Sequence, residues 1–213
     1  MAVSEVFNCD CMEYMRGLPD NAFSLALVDS PYRDESENQP KYEMRRAGMD
    51  SFGDKPTDEF FKELKRVSRK QIIWGANNFG YPFKGFVAWD KLVRGADRYS
   101  QVEIASLSEN ISTVSKYVQI QAADKDKIHP TQKPIALYAW LLRTYAEKSD
   151  IIFDPFLGSQ PSRIAAYKLG YDFYGCEINK EYYLKGCERF KKECLGISKT
   201  KSGKTIIEQN IFE

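Results

Sequence analysis

The segment Ile151-Ile-Phe-Asp-Pro-Phe-Leu-Gly-Ser-Gln-Pro-Ser-Arg-Ile-Ala-Ala constrains the fold of this chain more than any other. Asp150–Phe153 reads as a buried strand, a tight turn with one glycine follows, and Ser162–Leu169 reads as a helix that Gly170 stops. Asp172–Cys176 is the next strand. A strand, helix and strand so closely spaced predict a parallel pair, and a parallel sheet needs helices on its faces. The turn then lies at the carboxyl edge of the sheet, where ligands bind. Gly158 lets a ligand approach the backbone closely, and the helix start beyond it offers unpaired N–H groups. Glu177 closes the second strand, within reach of a ribose whose two hydroxyls it can accept.

This turn lacks the G-x-G-x-x-G of dinucleotide sites, and Asp154 stands where it would repel a pyrophosphate and attract a cationic amine. S-adenosylmethionine therefore suits the unit better than NAD. A plain βα turn with a surface glutamate is the alternative without function.

The rest of the chain repeats the alternation. Val6–Asn8 reads as a short strand, Cys11–Arg16 as a short helix, and Phe23–Val28 as a buried strand that stops at Asp-Ser-Pro. Phe60, Phe61, Leu64 and Val67 sit at helical spacing before a strand at Gln71–Gly75, and Phe86–Trp89, Val102–Leu107 and Val114–Gln121 read as extended. Pro134–Glu147 opens a helix with proline and sets Tyr138, Leu141, Leu142 and Tyr145 on one face; a last helix, Asn179–Cys194, buries Tyr183, Cys187 and Phe190. The pattern predicts one α/β domain over residues 1–194, Rossmann-like, with a largely parallel sheet and helices on both faces. Residues 195–213 form a tail. Arg33–Thr57 is polar and too long for an ordinary connector, so it is expected to be a mobile loop over a substrate.

A length of 213 residues suits one core, and 43% hydrophobic with 14% aromatic residues excludes a disordered chain. No apolar run approaches the roughly 18 residues of a membrane span, and the opening MAVSEVFNCD is no signal peptide, so a cytoplasmic protein is expected. Five cysteines without a CxxC pair predict neither a disulfide framework nor a metal site. With 31 basic and 30 acidic residues the net charge is +1, so any contact with nucleic acid has to come from local patches. Lys41, Arg45 and Arg46 make one such patch, and Lys91, Arg94 and Arg98 another.

Asp29-Ser-Pro-Tyr ends the second predicted strand. An aromatic amine is a poor nucleophile because its lone pair is delocalised into the ring. Acceptors for its two N–H hydrogens let the nitrogen pyramidalise, and a carboxylate beside a fixed carbonyl supplies them, while a tyrosine gives a base a face to stack on. Taken alone, the tetrapeptide is an ordinary turn.

Together with Asn8-Cys-Asp-Cys, Leu18-Pro-Asp, Phe61-Lys-Glu-Leu-Lys-Arg-Val, His129-Pro-Thr-Gln-Lys-Pro, Asp154-Pro-Phe-Leu-Gly-Ser and Tyr174-Gly-Cys-Glu-Ile, this tetrapeptide resembles the DNA adenine-N6/cytosine-N4 methyltransferases. The order matches their circularly permuted group, in which the catalytic motif precedes the cofactor motif. The resemblance implies methyl transfer from S-adenosylmethionine to a base flipped out of double-stranded DNA. Asp29 and the Ser30 carbonyl would hold the amine, with Pro31 shaping the turn and Tyr32 stacking on the base. Asp10 and Cys11 would lie against the cofactor adenine; Asp154, Phe156, Gly158 and Ser159 would wrap its methionine and ribose end; Glu177 would take the ribose hydroxyls. His129, Thr131 and Lys133 would approach the cofactor carboxylate, with Lys133 as countercharge. Adenine N6 is favoured over cytosine N4 because the cytosine enzymes more often carry serine in place of Asp29.

Two departures from the family pattern stand out. Ser30 replaces the first of two prolines, and the cofactor loop reads Gly158-Ser-Gln-Pro-Ser where Gly-Ser-Gly-Thr is usual, so Gln160 occupies a glycine position. Two other readings stay open at this point, a silent DNA-binding relative and a methyltransferase acting on RNA. In the tail, Ile206, Ile207, Ile211 and Phe212 suggest a short strand that docks on the chain itself or on a second copy as a homodimer, and Gln209-Asn-Ile-Phe212 has the look of a sliding-clamp peptide.

Overall fold

The computed structural model describes residues 2–32, 54–81, 84–92, 100–108, 110–119, 127–129, 131–199 and 205–207. In chain order the elements are β1 (Ser4–Phe7), α1 (Cys11–Arg16), β2 (Phe23–Val28), α2 (Asp58–Val67), β3 (Ser68–Trp74), β4 (Gly85–Asp90), β5 (Val102–Leu107), β6 (Val114–Val118), α3 (Ile135–Tyr145), β7 (Ile151–Asp154), α4 (Pro161–Leu169), β8 (Asp172–Cys176), α5 (Lys180–Leu195), β9 (Ile197–Lys199) and β10 (Thr205–Ile207). One sheet runs β1-β8-β7-β2-β3-β5-β4-β6. Its first five strands are mutually parallel, β5 is antiparallel to both neighbours, and β6 is parallel to β4. The expected largely parallel α/β sheet is thus present, with one reversed strand near an edge.

The uninterrupted apolar run Phe23–Val28 follows from burial on both faces, since successive side chains of a strand point to opposite sides. Leu25 and Leu27 join Ile72, Trp74, Trp89 and α3's Leu137, Tyr138 and Leu141 in one core layer. Phe23, Ala26 and Val28 meet Met15, Phe60, Phe61, Leu64 and Phe153 in the other. Helix α2 is well delimited: the Thr57 hydroxyl accepts from the Phe60 N–H at its start, Asp58 and Glu59 lie in its first turn, and Lys65 and Arg66 in its last.

The last helix needs a correction. Its buried face carries Tyr182, Gly186 and Phe190, while Tyr183 and Cys187 are only half-buried. The face is turned by one residue because Gly186, with no side chain, lets the helix close on the α4 start. In the tail, Thr205–Ile207 pairs antiparallel with Ile197–Lys199, so this short strand finds its partner within the tail. Lys41, Arg45 and Arg46, most of the Arg33–Thr57 loop, Arg94, Arg98 and Gln209–Phe212 lie outside the described residues. Among the described residues no helix is long and apolar enough to cross a membrane, and no group of histidine, cysteine or acidic residues is placed to hold a metal.

Parallel pairing sets the carboxyl ends of β1, β8, β7, β2 and β3 along one edge of the sheet. Asp10, Glu177, Asp154, Asp29 and Gly75 sit on or just past those ends. The topology alone therefore gathers residues from distant parts of the chain.

Candidate active site

At the end of β7, Asp154 is 2% exposed and both its carboxylate oxygens are engaged. Oδ1 accepts from the Phe156 N–H at 2.9 Å and Oδ2 from the Ser162 hydroxyl at 2.5 Å, so the side chain ties the turn to the first turn of α4. Burial pushes its carboxyl up to about 7. Gly158 has φ 48, and its N–H donates to Glu177 Oε2 at 2.8 Å, while the Asn179 N–H donates to Oε1 at 2.8 Å. Glu177 thereby fixes the glycine turn and the start of α5 together. Burial raises its carboxyl as well. Ile178, next in the chain, is 71% exposed, an apolar surface beside the carboxylate.

Asp10 accepts the Met12 N–H at 2.6 Å and caps α1, and Asn8 donates to the Glu177 carbonyl, bringing the loop after β1 against the end of β8. Cys11 is half-buried, its thiol pushed up to about 12 by burial and then by Asp10. His129 packs edge-on against Tyr182 at 4.5 Å, and a Cβ on Gly158 would lie 3.6 Å from its ring. Burial pushes the imidazole down to about 4, so it is neutral at pH 7. Thr131 reaches His129 Nδ1 at 3.1 Å. Phe156 leans on Phe60 of α2 at 5.3 Å, and Arg189 donates to the Ser159 carbonyl and hydroxyl. All the described residues expected around the cofactor, Lys133 excepted, therefore line the ends of β1, β8 and β7.

Lys133 goes to the other half. Its ammonium, on a side chain 3% exposed, donates to Asp29 Oδ1 at 2.5 Å and to the Tyr32 hydroxyl at 3.1 Å, and stands 3.2 Å from Glu103 Oε2. The countercharge expected for the cofactor thus stands between two carboxylates of the protein. Lys91, offered as part of a basic surface patch, is buried instead and pairs with Glu103 Oε1 at 3.0 Å. Its ammonium turns to Glu103 on the neighbouring strand instead of to solvent. The Tyr32 hydroxyl also donates to Asp29 Oδ1, at 3.0 Å. Burial raises the Asp29 carboxyl although Lys133 opposes it; burial also raises Glu103, but Lys133 and Lys91 together outweigh it and hold Glu103 below its ordinary value. Lys133 stays charged, its ammonium stabilised by Asp29 and Glu103 against burial. Strands β2 and β7 pair directly, so Asp29 and Asp154 end neighbouring strands.

The two departures have physical counterparts. Ser30 is 4% exposed and its hydroxyl has no hydrogen-bond partner, one of three buried side-chain polar atoms in that state among the described residues, with Trp74 Nε1 and Glu103 Oε2. Gln160 adopts φ 59, the left-handed conformation for which glycine is usual. Its buried side chain accepts from Arg163 at 2.9 Å, donates to the Tyr183 carbonyl, and fills the space over Gly186. Gln160 thus occupies volume that Gly186 leaves open.

Sequence reasoning missed Glu103, Gly75, Ile178 and Gly186. Glu103 is a lone acid in an apolar strand, and that charge inside Val102–Leu107 was the available signal. Ile178 follows the ribose-binding candidate directly. Nothing in the sequence pairs Gly75 with Tyr32 or Gly186 with Gln160.

The type II methyltransferase M.HpaI of Haemophilus parainfluenzae is 36% identical over 88 residues, a match that covers 41% of this chain and 28% of that protein. The crystal structure of the M1.HpyAVI–SAM complex superposes with a TM-score of 0.53 at 21% identity, covering 87% of this chain and 98% of that one. The PvuII DNA methyltransferase, described as cytosine-N4-specific, gives a TM-score of 0.63 at 12% identity over 99% and 89% of the two chains. The N6/N4 DNA methylase model matches residues 12–188, from the first turn of α1 to the third turn of α5. With both motif halves inside that match, the chain belongs to the N6/N4 DNA methylase family.

Proposed function

We propose that this chain transfers the methyl group of S-adenosylmethionine to the exocyclic amine of a base flipped from double-stranded DNA, adenine N6 in preference to cytosine N4. The observation that carries the reading is the placement of Asp29 and Tyr32 at the end of β2, beside the glycine turn of β7 and Glu177 of β8. When bound, the cofactor supplies an electrophilic methyl group on a sulfonium. The residues present fit it: Glu177 keeps lone pairs for ribose hydroxyls, Ile178 offers apolar surface for the adenine, and Gly158 leaves the turn open to close approach. Asp154, Phe156, Ser159, Asp10, Cys11, His129 and Thr131 shape the remainder of that site.

Asp29 is the catalytic carboxylate. By accepting one amine hydrogen while the Ser30 carbonyl accepts the other, it draws the nitrogen lone pair out of conjugation, and it takes the proton released when the N–C bond forms. Tyr32 stacks on the base, with Pro31 holding the turn. Lys41, Arg45 and Arg46 contact DNA phosphates. The preference for adenine rests on aspartate at position 29.

The test is incubation with labelled cofactor and unmodified DNA, then nucleoside analysis by mass spectrometry. N6-methyladenine is expected from the wild type and none from Asp29→Ala, which should keep the native circular dichroism spectrum at a lower melting temperature, because Lys133 then has Glu103 alone as its carboxylate. N4-methylcytosine as the main product would overturn the base preference. Absence of any methylated base would overturn the function.

A further inference from the structure

Four charged side chains form a run of successive ion pairs at the carboxyl edge: Asp29 just after β2, Lys133 before α3, Glu103 on β5 and Lys91 after β4. Their signs alternate and cancel. Lys133 and Lys91 are buried, so none of the attractions is diluted by solvent as a surface pair would be. Tyr32, Tyr138 and His129 are further titratable groups that face Lys133, and Asp154 faces Asp29 from the end of β7. Asp29 Oδ1 already receives both the Lys133 ammonium and the Tyr32 hydroxyl. An incoming amine has to compete with both for the same carboxylate.

Glu103 answers that competition. Its Oε2 is buried and forms no hydrogen bond, yet the Lys133 ammonium stands 3.2 Å away. Oε1 is fixed by Lys91 at 3.0 Å, so Oε2 is held beside the Lys133 ammonium. A small displacement of Lys133 exchanges its hydrogen bond to Asp29 for one to Oε2 without leaving the buried ammonium unpaired, which would otherwise cost several kcal/mol in order of magnitude, while Asp29 keeps the Tyr32 hydroxyl and gains room for the amine. Among the described residues, Trp74 Nε1 and the Ser30 hydroxyl are the other buried polar atoms without a hydrogen-bond partner.

We propose that Glu103 is a positioning residue for methyl transfer: it offers Lys133 a second seat, and so decides whether Asp29 is free to take the hydrogens of the target amine. The inference rests on the function proposed above. Without the Glu103 charge, Lys133 has Asp29 as its one anionic partner and stays on it.

The test measures single-turnover methyl transfer in the full chain for wild type, Glu103→Gln, Glu103→Asp, Lys133→Met and the Lys133→Met/Glu103→Gln pair, together with melting temperature and cofactor affinity. Glu103→Gln should slow transfer about tenfold or more while cofactor affinity holds within about twofold. Glu103→Asp should recover part of the rate. Losing a like charge near Asp29 should also move the acid limb of the rate profile to lower pH in Glu103→Gln but not in Glu103→Asp. In the Lys133→Met background, Glu103→Gln should cost nothing further, since its effect passes through Lys133. Wild-type rates in Glu103→Gln, or losses that simply add in the double variant, would overturn the proposal while leaving the function intact. A wild type that transfers no methyl group would remove both.

Discussion

A Cβ placed on Gly75 would stand 2.3 Å from the Tyr32 ring. Gly75 ends β3 with φ 67, and the ring of Tyr32, which leaves the end of β2, lies against its bare backbone with Phe79 edge-on at 6.3 Å. The tyrosine proposed to carry the flipped base is therefore held in place by a missing side chain.

Gly75→Ala should displace Tyr32 and reduce methyl transfer by about a hundredfold or more, since misplacement of about 1 Å costs that much. Gly80→Ala is the control. Gly80 has φ 64 but nothing within 4 Å of a Cβ, so the change should cost only about 1–2 kcal/mol of backbone strain and leave the rate near wild type. Equal activity losses in the two variants would show that strain, not Tyr32, is responsible.

Gln160 and Gly186 should be coupled. A Cβ on Gly186 would meet the Gln160 side chain at 2.6 Å, so Gly186→Ala should destabilise the wild type. In a Gln160→Gly background the same change should stabilise by up to about 1 kcal/mol, because alanine is the better helix former. Denaturant titration of the four proteins reads this reversal of sign.

The Asp154 carboxyl, raised by burial to about 7, links stability to pH. A folded-state value above the unfolded one of about 3.9 means that the contribution is complete below about pH 4 and is lost as pH rises through 7, on the order of 4 kcal/mol in the limit. Asp154→Asn stays neutral. Its melting temperature relative to wild type should climb between pH 5 and pH 8; a constant difference would show that the carboxylate ionises freely in the fold.

Glu177→Ala removes the acceptor of two backbone N–H groups, at Gly158 and Asn179. Amide hydrogen exchange at both positions should accelerate even without cofactor, and S-adenosylmethionine should bind about tenfold more weakly or worse. Unchanged exchange would mean that the turn does not depend on this carboxylate.

The βαβ unit was legible because its signals are local: an apolar run, one glycine turn, a helix stop and an acid at the next strand end. The residues proposed for both halves of the site stand on motifs of the same kind, and the sheet places them along one edge. Lys133 was recognisable as important but not its partners, because Glu103 reaches it only after the antiparallel insertion of β5 beside β3, and no local pattern encodes that pairing. The buried face of α5 was read one residue out of phase for a similar reason. Periodicity ranks Tyr183 and Cys187 as apolar, whereas a glycine at 186 matters only once Gln160 is known to lie opposite.

Strand β1 hydrogen-bonds to β8 alone within the sheet, and the Asn8 contact to Glu177 spans 169 positions of chain. At a synthesis rate of about 5–20 residues per second, roughly 8–30 seconds pass between the appearance of β1 and that of its partner in the sheet. Loop closure over such distances is slow, so a high contact order and a late closing step are built into the strand order. The loop bearing Asp10 and Cys11 follows β1, so the side of the site proposed for the cofactor adenine is assembled only when β1 docks on β8. On that proposal, a nascent chain acquires its cofactor site as one of the last acts of folding.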